Sequence, residues 1–131
     1  MASSETSRQH EELIHKFYTA FSGLDPQGMR DCYHEDVIFQ DPAFGILKGR
    51  EVGDMWEMLI NGSKRSTTNK PLQISYKNVQ ATEAAGSVEW IAIYNFSATG
   101  REVTNHIHGS FLFQDGLIIQ HTDVFDFWKW R

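Results

Sequence analysis

A carboxylate stands at the end of an apolar run in the sequence VIFQDPAFG, which covers residues 37–45. The first three residues of this run are β-branched or aromatic, as is typical of a strand, and side chains alternate along a strand. Asp41 therefore shares a face with Val37 and Phe39, and Pro42 ends the strand because it has no N–H. The carboxylate either belongs to an Asp-Pro turn or faces an apolar cavity, where burial would raise its pKa and make it a usable base.

A second pair of chemically useful residues lies near the end of the sequence. In the strand expected over residues 117–127, the odd positions are apolar except for His121 and Asp123. These two residues lie about 7 Å apart along one face of the strand. Polar groups on such a face must be hydrogen-bonded or must face a cavity. They are therefore either a structural His–Asp pair or part of a polar cluster in a pocket.

A third pattern, His106 and His108, suggests a metal site because two histidines two residues apart share one face of a strand. This face is expected to be the outer one, and no third ligand is evident beside the pair. The pattern therefore favours a subunit interface that carries histidines, and no metal is expected.

Three helices are expected to support these residues in the first half of the chain. Apolar residues recur at helical spacing over residues 7–23 and again over residues 50–60. Asp25-Pro26 resembles an N-cap followed by proline at the first helical position, which predicts a short helix that runs to about Tyr33. The polar segment at residues 61–71 is expected to be a loop.

Beyond Pro71 the apolar period falls to two, which predicts a meander of four strands. The strands are expected over residues 72–80, 87–97, 101–113 and 117–127. Asp115-Gly116 marks a hairpin between the last two strands. Helices followed by an antiparallel meander predict an α+β fold, in which the helices pack on one face of a curved sheet and leave a cavity between the two layers.

The faces of the strands can be assigned from their composition. On the strand at 101–113 the odd positions are the more apolar ones and should face the helices, with Asn105 as the polar exception. The opposite face would leave an apolar patch that predicts a homodimer through the outer face of the sheet. This patch consists of Ile91, Ile93, His106, His108 and Leu112.

The composition limits the class of protein. A chain of 131 residues is expected to form one domain, with residues 1–6 as a flexible tail. The net charge of −5 argues against nucleic acid as a partner. A single cysteine and the lack of an apolar run of membrane-spanning length favour a cytoplasmic protein with no membrane partner. No GxGxxG or GxxxxGK[ST] motif is present, so no cofactor is expected.

Taken together, three segments of the chain resemble the nuclear transport factor 2-like superfamily, and specifically its SnoaL-like branch. The segments are FYTAFSGLD, CYHEDVIFQDPAFGILKG and TGREVTNHIHGSFLFQDGLIIQHTDVFDF. This branch includes polyketide cyclases, ketosteroid isomerases and limonene-epoxide hydrolases. The resemblance implies a cone-shaped α+β fold with a deep apolar pocket and a dimer through the outer sheet face. The pocket positions that it implies are Tyr18, Phe39, Tyr94, Ile107 and Phe125.

The reaction types of the family fit this sequence less well. Asp41 matches the proton-shuttling aspartate of ketosteroid isomerases, but their two oxyanion donors fall on Phe17 and Gly109, which have no side-chain donor. Asp123 matches the last-strand aspartate of limonene-epoxide hydrolases. The arginine and second aspartate of those enzymes fall on Trp90 and Ala92, so epoxide hydrolysis is disfavoured.

The remaining functional hypothesis is proton transfer on an apolar carbonyl compound, with Asp41 as the base. The enolate that forms would need a donor, for which the sequence offers Tyr18, Tyr94, Asn105 and His121. Aromatic walls suit a small apolar ligand, and they would come from Phe39, Trp56, Trp90 and Phe125. The alternative is a non-catalytic module for ligand binding or dimerisation, because this fold hosts many functions.

Overall fold

The computed structural model describes residues 2–65, 72–95 and 100–125. Its helices are α1 (Ala2–Ser22), α2 (Pro26–Arg30) and α3 (Arg50–Arg65). Its strands are β1 (Tyr33–Asp41), β2 (Gly45–Lys48), β3 (Gln73–Ala81), β4 (Ala85–Asn95), β5 (Glu102–Gln114) and β6 (Leu117–Phe125). They form one sheet in the order β2-β1-β6-β5-β4-β3, antiparallel except for the parallel pair of β1 and β6. The predicted α+β fold, with helices on a curved and mostly antiparallel sheet, is confirmed.

The helices form where the apolar periodicity predicted them. In α1 the stripe that faces the sheet is fully buried and includes Ile14 and Phe17. In α2 the side chain of Asp25 accepts the N–H of Gly28 at 3.2 Å, and Pro26 opens the helix. This is the N-cap that the sequence predicted, and it turns the chain from α1 toward β1. No helix among the described residues is long and apolar enough to cross a membrane.

The alternation on β5 follows the prediction. Ile107 and Phe111 are buried in the core, whereas His108 is exposed on the other side of the sheet. On β6 the prediction is wrong at the start of the strand, because Ile118 is fully buried and Ile119 is only half-buried. A bulge in the pairing of β5 with β6 shifts the register by one residue there. From His121 onward the odd positions face the core, as predicted.

Several boundaries differ from those expected. α1 begins at Ala2 rather than near residue 7, and the flexibility of residues 1–6 stays a prediction. α3 continues to Arg65, through the first part of the expected loop. β2 was not predicted. It forms because Gly45, with a φ of 72°, lets the chain turn back on β1. The expected strand ends at 96–97 and 126–127, like part of the expected loop, lie outside the described residues.

Candidate functional site

A cavity of about 630 Å³ lies between the helices and the inner face of the sheet. Apolar and aromatic side chains from α1, α3 and the strands form most of its wall, which suits a small apolar ligand. The charged residues on the described part of this wall are Asp41 and Asp123, and the uncharged polar ones are Ser63, Tyr94, Asn95, Asn105 and the indole of Trp90. The polar groups are therefore few, as expected for groups that fix the orientation of a ligand.

Asp41 reaches the cavity because of the register of two parallel strands. Gln40 on β1 pairs with Thr122 on β6, so Asp41 and Asp123 are the next residues on neighbouring strands. Neighbouring strands lie about 4.8 Å apart, and both of these residues line the cavity. The two carboxylates therefore lie side by side at one end of the cavity.

The surroundings of Asp41 combine the two possibilities that the sequence left open, a turn residue and a carboxylate that faces a cavity. Its Oδ1 accepts the backbone N–H of Phe44 at 2.6 Å, as a turn residue does. Burial raises the pKa of Asp41 above its ordinary value, and the Asp123 carboxylate acts in the same direction. The backbone N–H groups of Phe44 and Ala43 and the ring of His121 oppose this rise in the pKa. The carboxylate is thus both anchored by the turn and partly desolvated by the cavity.

Asp123 is held by two donors. Its Oδ1 accepts hydrogen bonds from Nε2 of His121 at 2.9 Å and from Nε1 of Trp90 at 3.3 Å. Among the described residues both donors bond the same oxygen, so Oδ2 remains for a ligand. Gly109, the partner of Asp123 on β5, makes room for this arrangement: a Cβ there would lie 3.1 Å from Oδ1.

His121 lies behind Asp123, and the cavity does not reach it. Its ring is fully buried, and its Nδ1 lies 2.8 Å from the hydroxyl of Tyr33. Nε1 of Trp56 donates to the same hydroxyl at 2.9 Å, so the Tyr33 hydrogen is free to bond Nδ1 of His121. In the arrangement that gives every hydrogen an acceptor, Tyr33 donates to Nδ1 of His121, and Nε2 of His121 donates to Asp123. The chain Trp56–Tyr33–His121–Asp123 thus fixes the orientation of one carboxylate.

The structure sorts the other predicted site residues into two groups. Those that line the cavity are Trp56, Trp90, Tyr94, Asn105, Ile107 and Phe125. Tyr18, Phe39 and His121 do not line it, because they are fully buried in the core. The ring of Phe39 packs against Trp56 and His121, with centroids 5.4 and 5.0 Å away. The side chains of these three residues point inward and lie in the core behind the wall.

Tyr18 is a special case among the buried residues. Its hydroxyl is shielded from solvent and has no hydrogen-bond partner among the described residues. Burial raises its pKa well above the ordinary value of a tyrosine, and Asp123 raises it further. A Cβ on Gly109 would lie 3.2 Å from this hydroxyl, so Tyr18 and Asp123 flank the same glycine.

Several residues of the site were not found from the sequence. Tyr33 was assigned to the end of a helix, and nothing in its neighbours indicated a bond to a histidine 88 residues away. The α3 wall could have been found, since Met55, Leu59 and Ser63 recur every four residues and all line the cavity. Phe44 was missed because the turn between β1 and β2 was taken for a loop.

The far end of the cavity carries a second polar group of residues. Nδ2 of Asn105 donates to the hydroxyl of Tyr94 at 3.1 Å, and Oγ of Ser63 accepts the N–H of Leu72 at 2.6 Å. Gln73 pairs with Ile93, so Leu72 lies beside Tyr94 one position further along the two strands. Ser63, Tyr94 and Asn105 therefore meet at the same end.

Two kinds of site do not form among the described residues. They contain no group of three or more histidine, cysteine, aspartate or glutamate residues that could hold a metal. The described wall carries no arginine, and it includes Trp90 and Ala92, to which the resemblance assigned the Arg and Asp of limonene-epoxide hydrolases. An Asp-Arg-Asp arrangement is therefore not built here.

Comparison with known proteins agrees with this architecture. A family model described as SnoaL-like domain matches residues 14–121. No curated protein sequence matches the chain. A structure from Xanthomonas campestris pv. campestris, assigned as a polyketide cyclase, has a TM-score of 0.75 and 17% identity, and the match covers 95% of this chain and 96% of that one.

Two further solved structures have a similar fold. An LEH-like epoxide hydrolase of M. tuberculosis has a TM-score of 0.73 and 16% identity over 93% of this chain and 86% of that one. A protein of Catenulispora acidiphila with a ketosteroid isomerase-like fold, in complex with trimethylamine, has a TM-score of 0.69 and 13% identity, over 86% and 83%. At such identities the likeness shows a common fold, and the reaction must be argued from the site.

Proposed function

Since the chain belongs to the SnoaL-like domain family, we propose that it is a cofactor-independent enzyme that moves a proton on a small, apolar carbonyl compound. The reaction is an isomerase- or cyclase-type proton transfer with Asp41 as the base. The observation that carries this proposal is the pair of carboxylates, Asp41 and Asp123, at one end of an otherwise apolar cavity.

The proposed step is a proton abstraction next to a carbonyl group. The Asp41 carboxylate takes the proton from the carbon, the C–H electron pair forms the carbon–carbon double bond of the enolate, and the carbonyl pair moves onto oxygen. The Asp41 carboxylic acid then returns the proton to the same carbon or to another one. The carboxylate is regenerated, and no electrons leave the substrate.

The environment of Asp41 suits this role. A carboxylate in water is a weak base, and a raised pKa strengthens it toward neutral pH. Burial and the neighbouring Asp123 both raise the pKa of Asp41. The backbone N–H groups of Phe44 and Ala43 bond the carboxylate and hold it in place. Burial, charge and anchoring thus support Asp41 as a positioned base.

The enolate oxygen also needs a hydrogen-bond donor. His121 and Tyr18 are buried behind the wall, and Tyr94 and Asn105 lie at the other end of the cavity. Trp90 lines the cavity, and its Nε1–H donates to Oδ1 of Asp123 at 3.3 Å, which puts a donor at the near end. We therefore assign the donor role to the indole N–H of Trp90, which His121 helps to orient through Asp123.

Deuterium exchange in D₂O tests the proposal without knowledge of the natural substrate. The probe is 2-tetralone, an apolar cyclic ketone with hydrogens next to its carbonyl, and the readout is deuterium incorporation by mass spectrometry. We expect the wild type to accelerate exchange and Asp41→Asn to lose about a hundredfold or more of that rate while it still binds the ketone. Asp36→Asn, an exposed aspartate on the same strand, is the matched control and should exchange like the wild type.

Two results would contradict the proposal. Exchange at the wild-type rate in Asp41→Asn would remove Asp41 as the base. A wild type that binds the ketone and yet does not exceed the exchange rate in buffer would favour the alternative function, a non-catalytic module for ligand binding. A ligand that co-purifies with the protein, identified by mass spectrometry, would then replace 2-tetralone in the same assay.

A further inference from the structure

We propose that Ser63, Tyr94 and Asn105 form a second subsite, which binds a neutral hydroxyl group at the far end of an elongated apolar ligand. The other end of that ligand reaches Asp41 and Asp123, so the inference rests on the cavity of the proposed function and adds the shape and chemistry of its substrate. These three residues are called the hydroxyl subsite below.

Tyr94 is the centre of the hydroxyl subsite. Its oxygen accepts a hydrogen bond from Nδ2 of Asn105 at 3.1 Å, which fixes the position of the hydroxyl on the cavity wall. A tyrosine hydroxyl that accepts one bond still has its own hydrogen to give. Among the described residues that hydrogen has no acceptor, so it is available to a ligand oxygen.

Ser63, which lies on α3 in the layer of helices, also has a hydroxyl that accepts one hydrogen bond. Its Oγ accepts the backbone N–H of Leu72 at 2.6 Å, and its own hydrogen has no acceptor among the described residues. Leu72 lies beside Tyr94 in the continued register of β3 and β4, which brings the end of α3 to the same part of the wall. Two anchored hydroxyl groups from two elements therefore converge at one end of the cavity.

The unpaired side-chain oxygen of Asn105 indicates which kind of ligand group the hydroxyl subsite would bind. Its Oδ1 is shielded from solvent and has no hydrogen-bond donor among the described residues. A buried acceptor left unpaired is unfavourable, so a ligand group that donates to it would bind well. A hydroxyl both donates and accepts, and it therefore satisfies the subsite in either orientation of the Asn105 amide.

The spacing of the two ends sets the length of the ligand. Asp123 pairs with Gly109 on β5, and Asn105 lies four residues further along that strand. Four residues of a strand span about 13 Å. The wall between the two ends is apolar and includes Trp90, Ile107 and Phe125. A rigid body of two or three rings with an oxygen at each end fills this distance.

The far end also differs from the near end in charge. The charged residues on the described wall, Asp41 and Asp123, both lie at the near end. The three side chains of the hydroxyl subsite are uncharged donors and acceptors, which suit a neutral ligand group.

Calorimetric titration with two matched probes tests the hydroxyl subsite. 4-Hydroxybiphenyl can place its one hydroxyl at the carboxylates, and 4,4′-dihydroxybiphenyl has a second hydroxyl at the far end. The wild type should bind the diphenol about tenfold more tightly than the monophenol, as expected for one or two added hydrogen bonds. Tyr94→Phe should reduce this preference to about one to threefold, with little change for the monophenol, and Ser63→Ala should reduce it in the same direction.

Tyr76→Phe is the matched control, because the Tyr76 hydroxyl contacts His15 outside the cavity, and its preference should equal that of the wild type. Equal affinity of the two probes for the wild type would overturn the proposal. An unchanged preference in both Tyr94→Phe and Ser63→Ala, or failure of the wild type to bind the diphenol, would overturn it as well. No turnover enters the measurement, so loss of the hydroxyl subsite and loss of catalysis by Asp41 are separate results.

Discussion

His121 and His108 lie on adjacent strands of one sheet and have opposite surroundings. His121 faces the helices, is fully buried and has a hydrogen-bond partner on each ring nitrogen, Tyr33 and Asp123. His108 pairs with Val124 on β6 and is exposed on the outer face. The face of the strand on which a histidine lies therefore decides its role here. The His106-His108 pattern, which looked most like a metal site, lies on the side without the cavity.

Removing each histidine in turn should produce the largest contrast in stability. His121→Ala deletes a buried ring and leaves Tyr33 and Asp123 without partners, so we expect a loss of about 2–4 kcal/mol in the free energy of unfolding. His108→Ala deletes an exposed side chain and should change that free energy by less than about 0.5 kcal/mol. Urea unfolding measures both. Similar losses in the two variants would refute the assignment of the faces.

Tyr33→Phe tests the hydrogen bonds on the inner face, because it removes the Tyr33 hydroxyl that bonds His121 and Trp56. The change leaves Nε1 of Trp56 without its acceptor and Nδ1 of His121 without its donor, so a loss of about 1–3 kcal/mol in the free energy of unfolding is expected. Exchange of 2-tetralone should also slow, because His121 loses the bond that fixes its tautomer. Because Phe keeps the aromatic ring, any loss of stability or of exchange rate comes from the missing hydroxyl.

Tyr76→Phe serves as the reference for this prediction as well. Its hydroxyl bonds His15 at the exposed side of the fold, and the free energy of unfolding should stay within about 0.5 kcal/mol of the wild type. If Tyr33→Phe were as stable as Tyr76→Phe, the hydrogen bonds that link Trp56, Tyr33 and His121 would not contribute to the free energy of unfolding.

Much of the fold followed from local patterns in the sequence. The apolar stripe of α1 and the alternation on β5 were sufficient because each is a regular period over many residues. The same alternation put Asp41 and Asp123 on apolar faces of their strands, and both line the cavity. The bulge between β5 and β6 was not predicted, because a single inserted residue leaves no periodic signal and reverses the face of Ile118.

The site was less predictable because its details depend on contacts distant in sequence. The alternation showed that Tyr18, Phe39 and His121 point inward, but not that the cavity stops short of them. That limit is set by how closely α1 and α3 pack on the sheet, which no local pattern encodes. The bond from Tyr33 to His121 likewise depends on the parallel pairing of β1 with β6.

We propose that the outer face of the sheet forms the interface of a homodimer. Leu112 on this face is 42% exposed, and Ile91 and Ile93 lie on the strand beside it. Sedimentation at micromolar concentration should give about twice the chain mass of 15.1 kDa, and Leu112→Lys should shift the protein toward the monomer because it places a charge in the interface. Met58→Lys, a change on α3 at a residue that is 54% exposed, should leave the dimer intact. A monomeric wild type would contradict the proposal.

The smallest expected effect concerns the partly exposed carboxylate of Asp41. Its pKa is raised in the folded protein, so the unfolded chain releases this proton at a lower pH than the folded one does. Ionised Asp41 therefore favours the unfolded state above its folded pKa, and this effect vanishes below the ordinary aspartate pKa of about 3.9, where both states hold the proton. Asp41→Asn keeps an oxygen for the Phe44 N–H and should be slightly more stable than the wild type at neutral pH, with the advantage lost on acidification. Urea midpoints measured across this pH range test the prediction, and Asp36→Asn is the exposed control. If the wild type were more stable than Asp41→Asn at neutral pH, the hydrogen bonds of the turn would outweigh burial in the cavity in their effect on this carboxylate.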